Sequence, residues 1–281
     1  MNCNQFPPLR REKKLIVLLP PSILSVEDSL IDKTNKVGLI SRILSIFRVD
    51  DVVLYNDRET RRFDEKFLHL LLYYQVIPPH LKKKVFKKSK ILKYTGILPP
   101  LRLVNHDPPK ECKEGEILDG YVEKCDEKKC IVYLGKIGRG ILDKKNLSNN
   151  KIITVKIKSF NNDKILLENS SWDNFYTGYR ILKIKDFKEE IKRLENESYL
   201  IIGTSKMGYC INNKEIQEKL KKRITESKGI GIIFGGPHAE LYDEKDEFDF
   251  IINTVVNQGT LTVRSEEALA ATLSLFNYLF P

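Results

Sequence analysis

The sequence predicts an α/β fold whose parallel sheet is encoded in two stretches of chain, with a small all-β barrel inserted between them. Three observations predict it. Two short apolar runs, 13–19 (KKLIVLL) and 50–57 (DDVVLYND), flank a helical repeat of Val37, Ile40, Ile43, Leu44 and Phe47. Such a strand, helix, strand unit implies a parallel pair. Between 116 and 172 the pattern changes to short strand-like segments broken by glycine and turn residues, and after Trp172 the α/β texture returns. The domains are therefore expected at 12–106 and 173–281, forming one discontinuous unit, with the insertion at 107–172.

The first strand is short, apolar and bounded by Pro20 and Pro21. Phe67, Leu70, Leu71 and Tyr74 mark an amphipathic helix over 63–76, closed by Pro78 and Pro79. The polar, aperiodic stretch 105–116 reads as a linker. Five strands follow, in ILDGYVEK, CIVYL, RGIL, IITVKIK and KILLEN. In the fourth, Ile153, Val155 and Ile157 alternate with Thr154, Lys156 and Lys158, giving one buried face and one wet, basic face. Asn161, Asn162 and Asp163 supply a tight turn, and Gly135, Gly138 and Gly140 supply bends. Five strands of this kind suggest an OB-like barrel, an architecture that binds nucleic-acid strands. Beyond the aromatic run NFYTGYR, strands are predicted at 198–205, 229–236 and 248–255. Helices are predicted at 214–227, with Gly229 as its stop, and at 265–280, with Ser265 as its N-cap.

The chain has 281 residues and a formal charge of +10, with 41% of residues apolar. That is enough apolar material for two cores. No apolar run nears the length of a membrane span, and the N-terminus lacks a secretory h-region, so a cytoplasmic location is expected. The five cysteines are unevenly spaced with no CxxC pair, and four histidines are scattered. No metal centre is therefore expected, and the cysteines read as buried or half-buried thiols. The excess positive charge suggests a polyanionic partner, nucleic acid foremost. It is concentrated between His80 and Lys93, which holds seven lysines and no acid. Lys82, Lys83, Lys84, Lys87 and Lys88, together with Lys156 and Lys158 of the barrel, are the candidate RNA-binding residues.

Each of the last three strands runs into a loop rich in glycine and small polar residues: GTSKMG at 203–208, FGGPHAEL at 234–241 and NQGTLTVRSEEA at 257–268. In a parallel sheet these loops gather at the carboxyl ends of the strands, where open α/β folds bind ligands. Glycine lets backbone N–H and C=O groups approach a heterocycle closely. A dinucleotide fingerprint GxGxxG is missing, and GTSKMGY has Tyr209 where a phosphate-binding loop needs lysine. His238 is either an exposed turn residue or a ligand contact.

The series GTS, FGGPHAEL and NTVVNQGTLTVRSEEALAATLSLFNYL resembles the C-terminal half of the SPOUT, or alpha/beta-knot, methyltransferases. More narrowly, KKLIVLLPPSIL, DDVVLYND, KYTGILPPL and NFYTGYR make nearly the whole chain similar to an archaeal and eukaryotic RNA methyltransferase branch with an inserted OB-like domain. The resemblance implies a SPOUT-type parallel sheet with a C-terminal trefoil knot, a homodimer, and S-adenosylmethionine held by three loops. It places Thr204, Ser205 and Met207 beside the cofactor on the first loop, Gly235 and Gly236 on the second, and Asn257, Gln258, Gly259 and Thr260 on the third. Arg264 is then the candidate catalytic residue: its guanidinium can stabilise negative charge on a uridine-type base, or clamp a phosphate, unless it only pairs with Glu266 or Glu267. No general base stands out.

Two positions depart from the family pattern. Glu240 stands where a second glycine is usual, and Leu261 where a basic residue often lies between two threonines. Two functions follow. One is an S-adenosylmethionine-dependent RNA methyltransferase acting on rRNA or tRNA at a base nitrogen or ribose oxygen. The other is an RNA-binding or ribosome-assembly factor on the same scaffold with weak or lost catalysis.

Overall fold

The computed structural model describes residues 6–107, 113–143, 147–161, 164–184, 186–237, 241 and 246–280. The expectations for Cys3, Cys112, Asn162, Asp163, His238 and Glu240 fall outside them. In chain order the elements are β1 (Lys14–Leu19), α1 (Leu30–Ile46), β2 (Asp51–Leu54), α2 (Arg62–Val76), α3 (Lys82–Val85), β3 (Ile117–Cys125), β4 (Lys129–Tyr133), β5 (Arg139–Asp143), β6 (Ile152–Asn161), β7 (Lys164–Asn169), β8 (Arg180–Lys183), α4 (Phe187–Asn196), β9 (Tyr199–Cys210), α5 (Lys214–Glu226), β10 (Gly229–Ile233), β11 (Phe250–Asn253) and α6 (Ser265–Leu279).

Two compact units emerge from this chain. One takes in 11–73, 91–99 and 178–281, the other 1–10, 74–90 and 100–177. The barrel-bearing unit is wider than the insertion expected at 107–172, because 74–90 and 100–106 pack with it rather than with the sheet.

The first unit is a six-stranded sheet in the order β11-β9-β10-β1-β2-β8, and every pairing is parallel. β1 lies inside the sheet, and Leu15 to Leu19 are all buried, which explains an apolar run without alternation. Ser29 caps α1 by accepting the Asp32 N–H at 3.0 Å. Ile16, Leu18, Val53, Ile201 and Ile233 of the sheet form a core with Ile191 and Leu194 of α4.

Two elements of this unit, β8 and α4, lie outside the elements expected from the sequence. β8 is a four-residue edge strand with mostly exposed side chains. Arg180 is the register partner of Asp51 and donates Nε and Nη2 to it at 2.7 and 2.9 Å across the β2–β8 pair. α4 is legible in retrospect: Asp186 caps it, and Phe187, Ile191 and Leu194 recur at helical spacing.

Two predicted helix boundaries are corrected. α5 ends at Glu226 with Ser227 as its C-cap, close to the expected 227, but Gly229 is not its stop; Lys13 Nζ donates to the carbonyls of Ile224, Thr225 and Ser227 at 2.6, 2.6 and 2.5 Å. Gly229 instead opens β10, where a Cβ would lie 2.5 Å from the Tyr199 ring and 2.6 Å from the Lys14 carbonyl. Ser265 is the first helical residue of α6, not its cap. Arg264 occupies the cap, with its N–H donated to Glu267 Oε2 at 2.9 Å.

In the second unit β3, β4, β5, β7 and β6 close into a five-stranded barrel, as an OB-like domain requires. Val122, Val132, Val155 and Ile157 are fully buried in its core. The alternation read in β6 holds, with Lys158 exposed. Asp119, almost fully buried, accepts from Asn105 Nδ2, Thr154 Oγ1 and Trp172 Nε1 at 2.7, 2.8 and 2.9 Å. This carboxylate gathers three chain segments at one point. The expectation of buried or half-buried thiols is corrected twice: Cys125 and Cys130 face each other across the β3–β4 ladder and are joined in a disulfide, and Cys210 is an exposed free thiol.

Candidate active site

The site sits at the carboxyl ends of β9, β10 and β11. The first loop is not a free turn after β9 but an outgrowth of that strand. Gly203 pairs with Ile251 and Tyr209 with Ile252, so 204–208 bulge out of the ladder between two consecutive partners. Thr204 Oγ1 donates to the Ile233 carbonyl at 2.9 Å, and Asn253 Nδ2 donates to the Lys206 carbonyl at 3.0 Å. Those two bonds tie the bulge to both neighbouring strands.

The second loop leaves β10 through Phe234, whose carbonyl accepts the Tyr55 hydroxyl at 2.7 Å. Gly236 then passes so close to the Ser22–Asp57 pair that a Cβ would come within 2.5 Å of both Ser22 Oγ and Asp57 Oδ2. The third loop is braced from inside. Gln258 Nε2 donates to the carbonyls of Thr260 and Leu261 at 2.8 and 3.1 Å, and Thr260 Oγ1 donates to the Thr262 carbonyl at 2.8 Å. Asn257 takes a left-handed conformation, φ 56°, to start this turn.

Together the loops enclose a cleft of about 440 Å³, within the usual range for a small-molecule site. Thr204, Ser205, Gly235, Gly236, Gln258 and Arg264 line it, as the sequence suggests. Met207, Asn257, Gly259 and Thr260 do not. Met207 is exposed on the bulge, while Asn257 and Thr260 shape the third loop from outside the cleft wall. Sequence reasoning missed Phe234, Leu241, Ile252 and Val263, which give the cleft an apolar lining, and Lys36 from α1. Phe234 and Ile252 read simply as strand residues; nothing local in the sequence brings Lys36 to a loop more than 200 residues away.

Charge at the rim is organised as a chain of four groups. Arg264 Nη1 donates to Glu27 Oε1 at 3.1 Å, Lys36 Nζ reaches the same oxygen at 3.2 Å, and Lys36 also reaches Glu266 Oε2 at 3.0 Å. Arg264 Nη1 stands 3.8 Å from Glu266 Oε1. Lys36 is nearly buried, with its side chain 4% exposed, whereas Arg264 is 59% exposed. The pairing with Glu266 expected for Arg264 is thus present but secondary to Glu27.

In the barrel unit the candidate RNA-binding lysines divide. Lys82 lies over the Tyr74 ring, 4.2 Å from its centre, and burial lowers its pKa to about 8. Lys84 pairs with Glu123 at 2.6 Å, so the acid-free run is screened by a carboxylate from β3 after all. Lys156 pairs with Glu168 at 3.2 Å. Lys83, Lys87, Lys88 and Lys158 are exposed. Among the described residues no group of three or more His, Cys, Asp or Glu side chains is placed to hold a metal ion, and no helix is long and apolar enough to cross a membrane.

Comparison with known proteins gives four findings. The family described as "Putative RNA methyltransferase" matches residues 14–276. An uncharacterized protein of Haloarcula marismortui is 26% identical over 279 residues, covering 92% of this chain and 96% of its own. The 28S rRNA (uridine-N(3))-methyltransferase of Mus musculus is 26% identical over 302 residues, covering 94% of this chain and 76% of its own. Among solved structures, the SpoU methyltransferase AviRb from Streptomyces viridochromogenes, in complex with AdoMet, overlays only loosely. Its TM-score is 0.39 at 10% identity, over 99% of this chain and 62% of that one.

Proposed function

Since the chain belongs to the family described as "Putative RNA methyltransferase", we propose that it methylates ribosomal RNA at N3 of a uridine, in the cytoplasm, with S-adenosylmethionine as methyl donor. One observation carries this reading: loops from three adjacent parallel strands close on a single cleft whose walls are backbone and apolar side chains, with an arginine at its mouth.

The residues present fit a sulfonium nucleoside. Phe234, Leu241, Ile252 and Val263 offer apolar walls for an adenine ring, and the backbone of Gly235 and Gly236 can meet its polar edge. Thr204 and Gln258 offer polar atoms from the first and third loops. When bound, the cofactor supplies an electrophilic methyl carbon. The chain's own contribution is to align that carbon with the attacking nitrogen, and alignment of this kind is worth roughly 7 to 11 kcal/mol in favourable cases. A uridine N3 must lose its proton, here to bulk water, to attack. Arg264 is tethered by Glu27 at the rim, and its role in this reading is to offer a fixed positive charge to the developing uracil anion. Lys36 sits behind it and holds Glu27 in place.

A homodimer fits the same reading. Ile31, Leu39 and Ile46 on α1 and Tyr278 on α6 are exposed, and these two helices pack on each other. A second copy covering that face would remove the apolar surface from water. Light scattering should give a dimer mass; a monomer at working concentration would remove this part.

Calorimetric titration with S-adenosylmethionine and S-adenosylhomocysteine should show micromolar binding. Incubation with protein-free ribosomal RNA should then yield 3-methyluridine by nucleoside mass spectrometry. Absence of heat at millimolar cofactor would favour the assembly-factor reading, which Leu261, 90% exposed at the cleft, motivates through the missing basic group.

A further inference from the structure

The barrel unit carries a second cleft, of about 450 Å³, that the reaction does not use. Its lining combines four chemistries. Trp172, the only tryptophan in the chain, is half-buried and contributes an aromatic ring. Leu147 and Ile153, partly buried against the barrel core, contribute an apolar wall. Asn169 contributes an amide that makes no side-chain hydrogen bond among the described residues, and Arg10 contributes a guanidinium.

These groups are fixed in place. The indole N–H of Trp172 is donated to Asp119 Oδ1 at 2.9 Å, and that carboxylate is itself locked by Asn105 and Thr154. The ring therefore has a defined plane before any ligand arrives. Arg10 Nε donates to the Phe175 carbonyl at 3.2 Å and Nη2 to Thr177 Oγ1 at 3.4 Å, which holds the guanidinium against the same segment that carries Trp172. Asn169 ends β7 opposite Val155 of β6, one residue from Thr154 and on the strand pair that bears Lys156 and Lys158.

A flat apolar plate, a free amide and a cation match the parts of one nucleotide: base face, base edge and phosphate. We propose that this cleft binds an unpaired nucleotide of the RNA substrate, its base stacked on Trp172, its edge bonded to Asn169 and its phosphate facing Arg10. The site deepens the proposed function, since it rests on RNA as substrate, and it implies a single-stranded stretch flanking the modified position. Lys158, exposed farther along β6, continues the path for the phosphates.

The single tryptophan makes the test direct. The full-length protein is titrated with single-stranded hexauridylate while Trp172 fluorescence is read, with uridine monophosphate at equal nucleotide concentration as a second arm. Saturable quenching by the hexamer is expected, with weak quenching by the mononucleotide. Affinities of the Trp172 variants, which lack the tryptophan, are read instead by anisotropy of a fluorescein-labelled hexamer, by which Trp172→Ala should weaken binding by about 5- to 100-fold. Trp172→Phe, which keeps the ring and loses the Asp119 bond, should retain most of the affinity, and Asn169→Ala should lose several-fold. Unchanged fluorescence, Trp172→Ala within twofold of wild type, or equal loss in Trp172→Phe and Trp172→Ala would overturn the proposal. Equal quenching by the mononucleotide would overturn it too, reassigning the cleft to a free nucleotide. S-adenosylmethionine titrated into the same samples separates this outcome from the function itself: cofactor binding that persists while the hexamer fails to quench condemns the cleft alone.

Discussion

Glu27 and Arg264 lie 237 positions apart in sequence, yet a single carboxylate oxygen of Glu27 receives both the Arg264 guanidinium, at 3.1 Å, and the Lys36 ammonium, at 3.2 Å. Helix α1 thereby reaches the mouth of the cleft and sets where the arginine stands. Arg264→Ala should lower methyl transfer by about a hundredfold while leaving cofactor affinity nearly unchanged. Glu27→Gln should give a smaller loss, about tenfold, because the cation remains but is no longer aimed. Single-turnover rates and calorimetry on both variants check this; a cofactor affinity that collapses in Glu27→Gln would show that the network holds the cleft itself.

The second loop predicts a contrast between two glycines. At Gly236 a methyl group would collide with Ser22 and Asp57, whereas at Gly259 nothing lies within 4 Å. Gly236→Ala should displace the loop and weaken cofactor binding by about tenfold or more, with a stability loss of roughly 1 to 3 kcal/mol. Gly259→Ala should bind as wild type does. Thermal unfolding with and without S-adenosylhomocysteine reads both effects.

His106 makes stability depend on pH. The imidazole is buried, with Nε2 donating to the Val76 carbonyl at 3.1 Å, and burial pulls its pKa from 6.5 to about 4. Below pH 6.5 the unfolded chain takes up a proton that the folded chain refuses until about pH 4. The stabilising preference for the neutral ring is therefore complete above pH 6.5 and declines as pH falls towards 4, by on the order of 3 kcal/mol. Urea midpoints measured across that window should fall more steeply for wild type than for His106→Gln.

The lysine run should act through its exposed members. Lys87→Glu with Lys88→Glu is expected to weaken RNA binding for every sequence tested and to flatten its salt dependence. Lys84→Glu should instead cost stability, since it sets two carboxylates together at Glu123, whose pKa is held below the usual carboxylate value by Arg139 and Lys84. Filter binding at several salt concentrations, alongside unfolding curves, separates the two roles.

Cys125 and Cys130 close a short loop at the end of the β3–β4 hairpin. Reduction should destabilise the barrel by about 2 kcal/mol, the loop-closure value for so small a ring. Unfolding of the oxidised and reduced protein, monitored at Trp172, measures it.

Local pattern was sufficient for a large part of this molecule. The apolar runs of β1, β2, β9 and β10, the helical spacing in α1, α5 and α6, and the alternation in β6 depend only on which side chains shun water along a few turns of chain, and these elements form where the periodicity places them. The three loops were legible for the same reason, because strand ends in a parallel sheet must meet. Tertiary structure decided what periodicity does not encode. β8 forms where RILK pairs in parallel with β2, which sets Arg180 opposite Asp51 at the sheet edge. The bulge at 204–208 follows from the register of β9 on β11. Lys36 joins the cleft, Glu123 neutralises Lys84, and Asp119 fixes Trp172 through contacts between residues far apart in sequence. Burial and charge pairing at those places are properties of the packed chain, and no window of the sequence contains both partners.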